Sequence, residues 1–97
     1  MSGIPAGVAE AVAARAEGFC EAMVRGVCNG RAEHLHHRQL RSRGGGHTVE
    51  NLVALCHLCH DWVHRHPREA TELGLMVSRW GDPASVPVVY RGKEKTL

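Results

Sequence analysis

Aromatic side chains are scarce: Phe19, Trp62, Trp80 and Tyr90 are the only ones in 97 residues. A chain of this length buries only about 60–65% of the surface its unfolded state exposes. A core so short of large rings is therefore thin and needs a further staple. Long apolar runs are also missing. Nothing approaches the roughly 18 residues of a membrane span, which excludes one. The opening stretch MSGIPAGVAEAVAAR lacks a basic start followed by an apolar core, so no secretory signal is expected. Ser2 in place of a second-position glycine excludes the myristoylation pattern. Net charge is weak at +2, which by itself says little about partners. The length leaves room for one domain, 1–97.

What the chain does have is four cysteines and eight histidines. Its basic residues are nearly all arginine, the exceptions being Lys93 and Lys95, and the planar guanidinium suits phosphate. Arg31, Arg38, Arg41, Arg43, Arg65 and Arg68 outnumber Glu33, Glu50 and Asp61 in the central stretch. A solvated basic face accounts for that excess as readily as a nucleic-acid surface does.

The pattern predicts a helix over 7–17, with Val8, Val12 and Ala16 on one face and Gly18 ending it. A cysteine-bearing stretch follows, closed by the turn Asn29-Gly30. Short strands are expected at 32–38 and 51–56, paired as an antiparallel hairpin across the glycine-rich loop 39–47. A helix over 57–66 is expected to end or kink at Pro67, which has no amide hydrogen to donate. PREATELG restarts helically, with Pro67 in the first turn and Gly74 at the cap. LMVSRW and VPVVY read as edge strands or extended arms, and the tail 91–97 as disordered.

Cys20 and Cys28 make a loose pair with seven residues between them, whereas Cys56 and Cys59 make a C-x-x-C. Two pairs so arranged suit a closed four-thiolate zinc site. Two disulfides are the alternative, disfavoured where no secretion signal is seen; unpaired buried thiols are another. Zinc in such a site contributes about 10 kcal/mol or more of folding free energy, which would offset the thin core.

All eight histidines fall between 34 and 66. His36 and His37 are adjacent on the first predicted strand; His60 and His64, four apart, stack on one helix face within reach of one ion. Imidazole suits transition metals. His34, His47, His57 and His66 are expected to be surface or satisfied core residues. A Cys2His2 finger is excluded, because no spacer of roughly twelve residues separates Cys59 from His60. Two ligand chemistries in one small chain suggest one structural and one catalytic centre.

The stretch EHLHHRQLRSRGGGHTVENLVALCHLCHDWVHRHP resembles the HNH endonucleases, the ββα-metal or His-Me finger nucleases. His37, Asn51 and His60 match the three letters, and the C-x-x-C beside them matches too. The likeness spans residues 20 to about 80. It implies a small α+β fold, a ββα-metal core stapled by the four-cysteine zinc site and flanked by helices. It implies metal-dependent hydrolysis of DNA, with His37 as general base and His36, His60 and, in the histidine-rich branch, His64 as ligands. Asn51 corresponds to the residue that ties the loop and keeps the base oriented. The catalytic ion would be a divalent metal such as Mg2+, Mn2+, Ni2+ or Zn2+. On this reading three imidazoles hold the ion and His37 converges on them with its lone pair free. Arg38, Arg41 and Arg43 are expected to grip the DNA backbone. The resemblance further implies a bacterial cytoplasmic setting, with DNA as partner and, for compact stand-alone members, phage genome-packaging machinery. The alternatives are a zinc-stabilised nucleic-acid-binding module without catalysis and, more weakly, a redox or metal-storage protein.

Overall fold

A computed structural model describes residues 3–97. Helix α1 spans Ala6–Ala16. It is followed by strand β1, His34–His37, a 3-10 turn at Arg41–Arg43, and strand β2, Leu52–Leu55. Helices α2, His57–Arg65, and α3, Pro67–Glu72, come next; strands β3, Val88–Tyr90, and β4, Lys93–Lys95, end the chain. Among the described residues the result is a small α+β fold with two two-stranded antiparallel sheets, a cysteine cluster and three α-helices.

The hairpin β1–β2 organises everything else. Its register pairs His34 with Leu55, Leu35 with Ala54, His36 with Val53 and His37 with Leu52. Side chains alternate faces along a strand, so each pair takes one side. Leu52 and Ala54 meet Val12 and Ala16 of α1, with Leu35 beside them. Val53 and Leu55 meet Val63 of α2 together with Cys56 and Cys59. His34 and His36 thus share the α2 face, while His37 shares the α1 face.

A buried ion pair ties α1 to this hairpin. Arg15 holds both carboxylate oxygens of Glu21, at 2.6 and 2.9 Å, and also donates to the carbonyls of Val49 and Leu52. Glu21 in turn accepts from the Ala54 amide at 2.9 Å. Glu21 is buried, so its charge is tolerable only with these donors in place. No apolar periodicity in the sequence marks this contact.

Helix α2 starts on Cys56, whose sulfur accepts the Cys59 amide at 3.2 Å in the N-cap position. It ends where His66 leaves helical geometry before Pro67, which opens α3. Gly74 then takes φ +73° under the Pro87 carbonyl, where a Cβ would come within 2.0 Å of oxygen. Of the two alternatives for residues 75–80, an edge strand or an extended arm, no strand forms. These residues run as an irregular segment against β1, Val77 donating to the Arg38 carbonyl.

The tail also differs from expectation. Lys93–Lys95 pairs with β3, Val88 opposite Lys95 and Tyr90 opposite Lys93. The charged run KEK carries no apolar signal, because the strand rests on backbone pairing and on Lys95 lying 4.3 Å from the Tyr90 ring centre. Just before it, Arg91 donates to the carbonyls of Ala16, Phe19 and Cys20. No helix is long and apolar enough to cross a membrane among the described residues.

Candidate metal centres and nuclease site

The four cysteines come from two places that the fold closes on each other. The seven-residue gap after Cys20 folds back on itself: the Cys20 amide donates to Gly30, and Phe19 bridges to Arg31. Met23 accepts a φ of +48° within that loop. This return brings Cys28 to the N-terminus of α2. The four sulfurs lie within 4.8 Å of one another, and those of Cys28 and Cys56 are 3.8 Å apart. Zn–S bonds of about 2.3 Å put neighbouring sulfurs of a tetrahedron about 3.8 Å apart. Backbone amides aim at the sulfurs, Met23 at Cys20, Gly30 at Cys28 and Cys59 at Cys56, as anionic thiolates require. All four cysteines are free thiols, and the cluster fits a zinc ion.

Without a cation four adjacent thiols cannot all ionise. The Cys59 thiol and the amides of Met23 and Ala22 draw the Cys20 thiol down to about 4, against its burial. Burial pushes the Cys28 thiol up to about 11. The Cys59 thiol is also held up, first by its hydrogen bond with Cys20. A divalent ion inverts this pattern by stabilising every thiolate at once.

Across the hairpin from α1, the imidazoles of His36, His60 and His64 offer nitrogens within 4.8 Å of one another. The His60 and His64 Nε2 atoms are 3.3 Å apart, the edge of a tetrahedron with Zn–N bonds of about 2.0–2.1 Å. His36 Nε2 lies 2.8 Å from the Leu75 carbonyl, which can only accept. The ring proton therefore sits on Nε2 and the lone pair on Nδ1. His34 Nδ1 stands 3.0 Å from His60 Nδ1. An acceptor there keeps the His60 proton on Nδ1 and frees Nε2, as outer partners of metal-bound histidines do. Burial, reinforced by the neighbouring rings, lowers the His36 pKa to about 4. Burial also lowers His60, with His64 and His34 adding to it. Neutral rings are the ligand form, so this donor set fits a divalent metal.

His37 does not join that group. Being next in the strand it faces the other way, and its Nε2 is 3.0 Å from Nδ1 of His47. The expected convergence of four imidazoles is thus corrected to three, with the fourth across the strand. Burial, then His47 and Arg41, lower the His37 pKa and hold it neutral.

Asn51 is wholly buried and laces the loop. Its Oδ1 accepts the Gln39 amide at 2.6 Å, and its Nδ2 donates to the carbonyls of Gln39 and Gly46, both at 3.0 Å. Gly45 must be glycine here, since a Cβ would lie 1.7 Å from the Gln39 carbonyl oxygen.

Arg38 is not a DNA-gripping residue. It is 0% exposed, and its guanidinium donates to the carbonyls of Gly74, Glu50, Pro83 and Val86. Burial lowers its pKa to about 10, which leaves it charged at neutral pH. No phosphate can reach it. Arg41 is exposed, with one nitrogen bonded to Gly45. Arg43 is partly buried and lies 3.4 Å from the Val77 carbonyl.

Of the histidines expected to be incidental, His57 pairs with Glu33 at 2.8 Å, and His66 stacks on Trp62. His34 and His47 instead contact the predicted site residues. A two-residue step from His36 marks His34 in the sequence; nothing local marks His47.

Residues 20–66 match the family model of HNH endonuclease. That stretch of the chain is similar to an HNH domain. The match takes in both cysteine pairs, the hairpin and helix α2, hence every histidine of the cluster. An HNH domain implies a nuclease-type or nucleic-acid-related function. No curated protein and no solved structure matches the chain significantly.

Proposed function

We propose that this protein is a metal-dependent HNH-type DNA endonuclease that hydrolyses phosphodiester bonds. His36, His60 and His64 hold a divalent cation, and Cys20, Cys28, Cys56 and Cys59 hold a structural zinc. When bound, the divalent ion supplies a Lewis acid for the phosphate and the leaving 3′-oxygen. His37 takes the proton of the attacking water. A neutral imidazole does this well near neutral pH. In-line displacement sets the attacking and leaving oxygens on opposite sides of phosphorus, so base and ligands belong on opposite sides of the scissile phosphate. The two roles fall to adjacent residues, His36 and His37, whose side chains leave β1 on opposite faces. Asn51 keeps the loop that flanks the base rigid. Arg41 and Arg43 contact DNA phosphates, which adds affinity without sequence preference.

The observation that carries this reading is the meeting of three imidazoles, those of His36, His60 and His64, beside a strand whose next residue is His37. A plasmid-nicking assay with and without EDTA tests it. His37→Ala is expected to keep the fold and zinc content and to lose about 10²–10⁴-fold in rate, the span of general-base catalysis. Nicking at the wild-type rate by that variant would remove His37 from its role. Salt-dependent DNA binding with no cutting under any divalent metal would favour the non-catalytic binding module.

A further inference from the structure

His47 lies outside both metal clusters, in the loop joining β1 to β2. Its Nδ1 is 3.0 Å from His37 Nε2, with ring centres 5.1 Å apart and planes tilted by 55°. A neutral imidazole has one N–H and one lone pair, so one ring of the pair donates and the other accepts. If His47 donated, His37 would carry its proton on Nδ1, and its only lone pair would be spent on His47. If His37 donates, its Nδ1 keeps the lone pair. That nitrogen has no hydrogen-bond partner among the described residues.

The loop presenting His47 is held on both sides by one residue. Asn51 donates through Nδ2 to the Gly46 carbonyl at 3.0 Å, and through its amide to the Thr48 carbonyl at 3.1 Å. His47 is thus clamped between two bonds from a buried side chain and its own backbone, and its ring is partly buried. Beyond it, a Cβ built on Gly3 would lie 3.6 Å from His47 Nε2, so the N-terminal segment bounds the ring on that side.

We propose that His47 is a positioning residue that accepts the Nε2 proton of His37 and so fixes the tautomer whose Nδ1 faces the attacking water. This rests on His37 being the base. It gives Asn51 a second task, holding His47 in register as well as closing the loop. When His37 gains a proton, the imidazolium keeps the same donor bond to His47 and need not turn.

The test uses the full chain loaded with Zn2+. Nitrogen-15 spectra of the histidine rings should show His37 protonated on Nε2; protonation on Nδ1 overturns the proposal. In the nicking assay His47→Ala should lower kcat at least about tenfold with KM and metal content unchanged. His47→Asn, whose side-chain oxygen can accept at a similar reach, should recover most of that loss. Wild-type kcat in His47→Ala, or no recovery in His47→Asn, also overturns it. Should His47→Ala fail to fold, the spectra and His47→Asn carry the decision. Should the wild type cut no DNA, the nuclease reading fails, while the ring spectra still decide which histidine donates.

Discussion

The two clusters differ in how they meet solvent. Three of the four cysteines are wholly buried, and the fourth is partly so. Of the three histidines only His36 is buried, while His64 is exposed. Structural zinc sites close around the ion with protein ligands, whereas catalytic ones keep a position open. The sulfur cluster joins the Cys20–Cys28 loop to the start of α2 and is built into the main core. The imidazole cluster lies further along the same helix and is open to solvent at His64. One helix therefore serves both, with Cys56 and Cys59 at its beginning and His60 and His64 one turn further on. The two candidate centres lie one helical turn apart on a single element.

The most forceful way to break this contrast is Cys56→Ser. Loss of zinc removes about 10 kcal/mol or more, comparable with the whole stability of about 5–15 kcal/mol expected for a small domain. Soluble, folded protein should be lost, with zinc content falling in parallel; an unchanged Tm would show that the thiolates are not the staple. His60→Ala should do the reverse. Nicking should fall below detection and one metal equivalent should disappear, while the circular dichroism spectrum and the cysteine-bound zinc persist. A chelator titration followed by metal analysis should accordingly empty the histidine centre before the cysteine centre.

Arg38→Met sharpens the comparison from the scaffold side. It strands four carbonyls that a buried guanidinium now satisfies. Hydrogen bonds to charged groups contribute about 1.5–3 kcal/mol each, so a loss of about 3 kcal/mol is expected even after partial relaxation. Thermal unfolding should shift down by more than about 10 °C, and the salt dependence of DNA binding should not change. A steeper or shallower salt slope in the folded variant would return Arg38 to the DNA surface. His34→Ala gives a smaller effect, about 10–100-fold in affinity for the histidine-bound metal, with the sulfur centre untouched. Equal affinity in that variant would show that His60 needs no outer partner. Arg41→Ala should be mildest, reducing the salt slope of binding by about one phosphate contact.

Much of the site was legible because its residues sit close together in the chain. The C-x-x-C, the His60–His64 step and the adjacent pair His36-His37 each lie within one element, where local periodicity fixes which side chains are neighbours. The hairpin and the break at Pro67 were legible for the same reason. Three things were not. Arg38 reads as one of a basic run, yet its carbonyl partners lie 12 to 48 positions away. The KEK tail reads as disordered, yet Tyr90 and backbone pairing hold it. His47 reads as a loop residue, because its meeting with His37 depends on how Asn51 folds the loop.

By itself, then, the sequence determined the ligand types, their pairing within elements and the alternation that parts His36 from His37, since these follow from the fixed repeats of helix and strand. The tertiary structure alone decided which pairs meet. It closed the Cys20–Cys28 loop on α2, seated Arg38 among carbonyls and brought His47 to His37. Such contacts join residues far apart in the chain, and no local repeat encodes a distance through space.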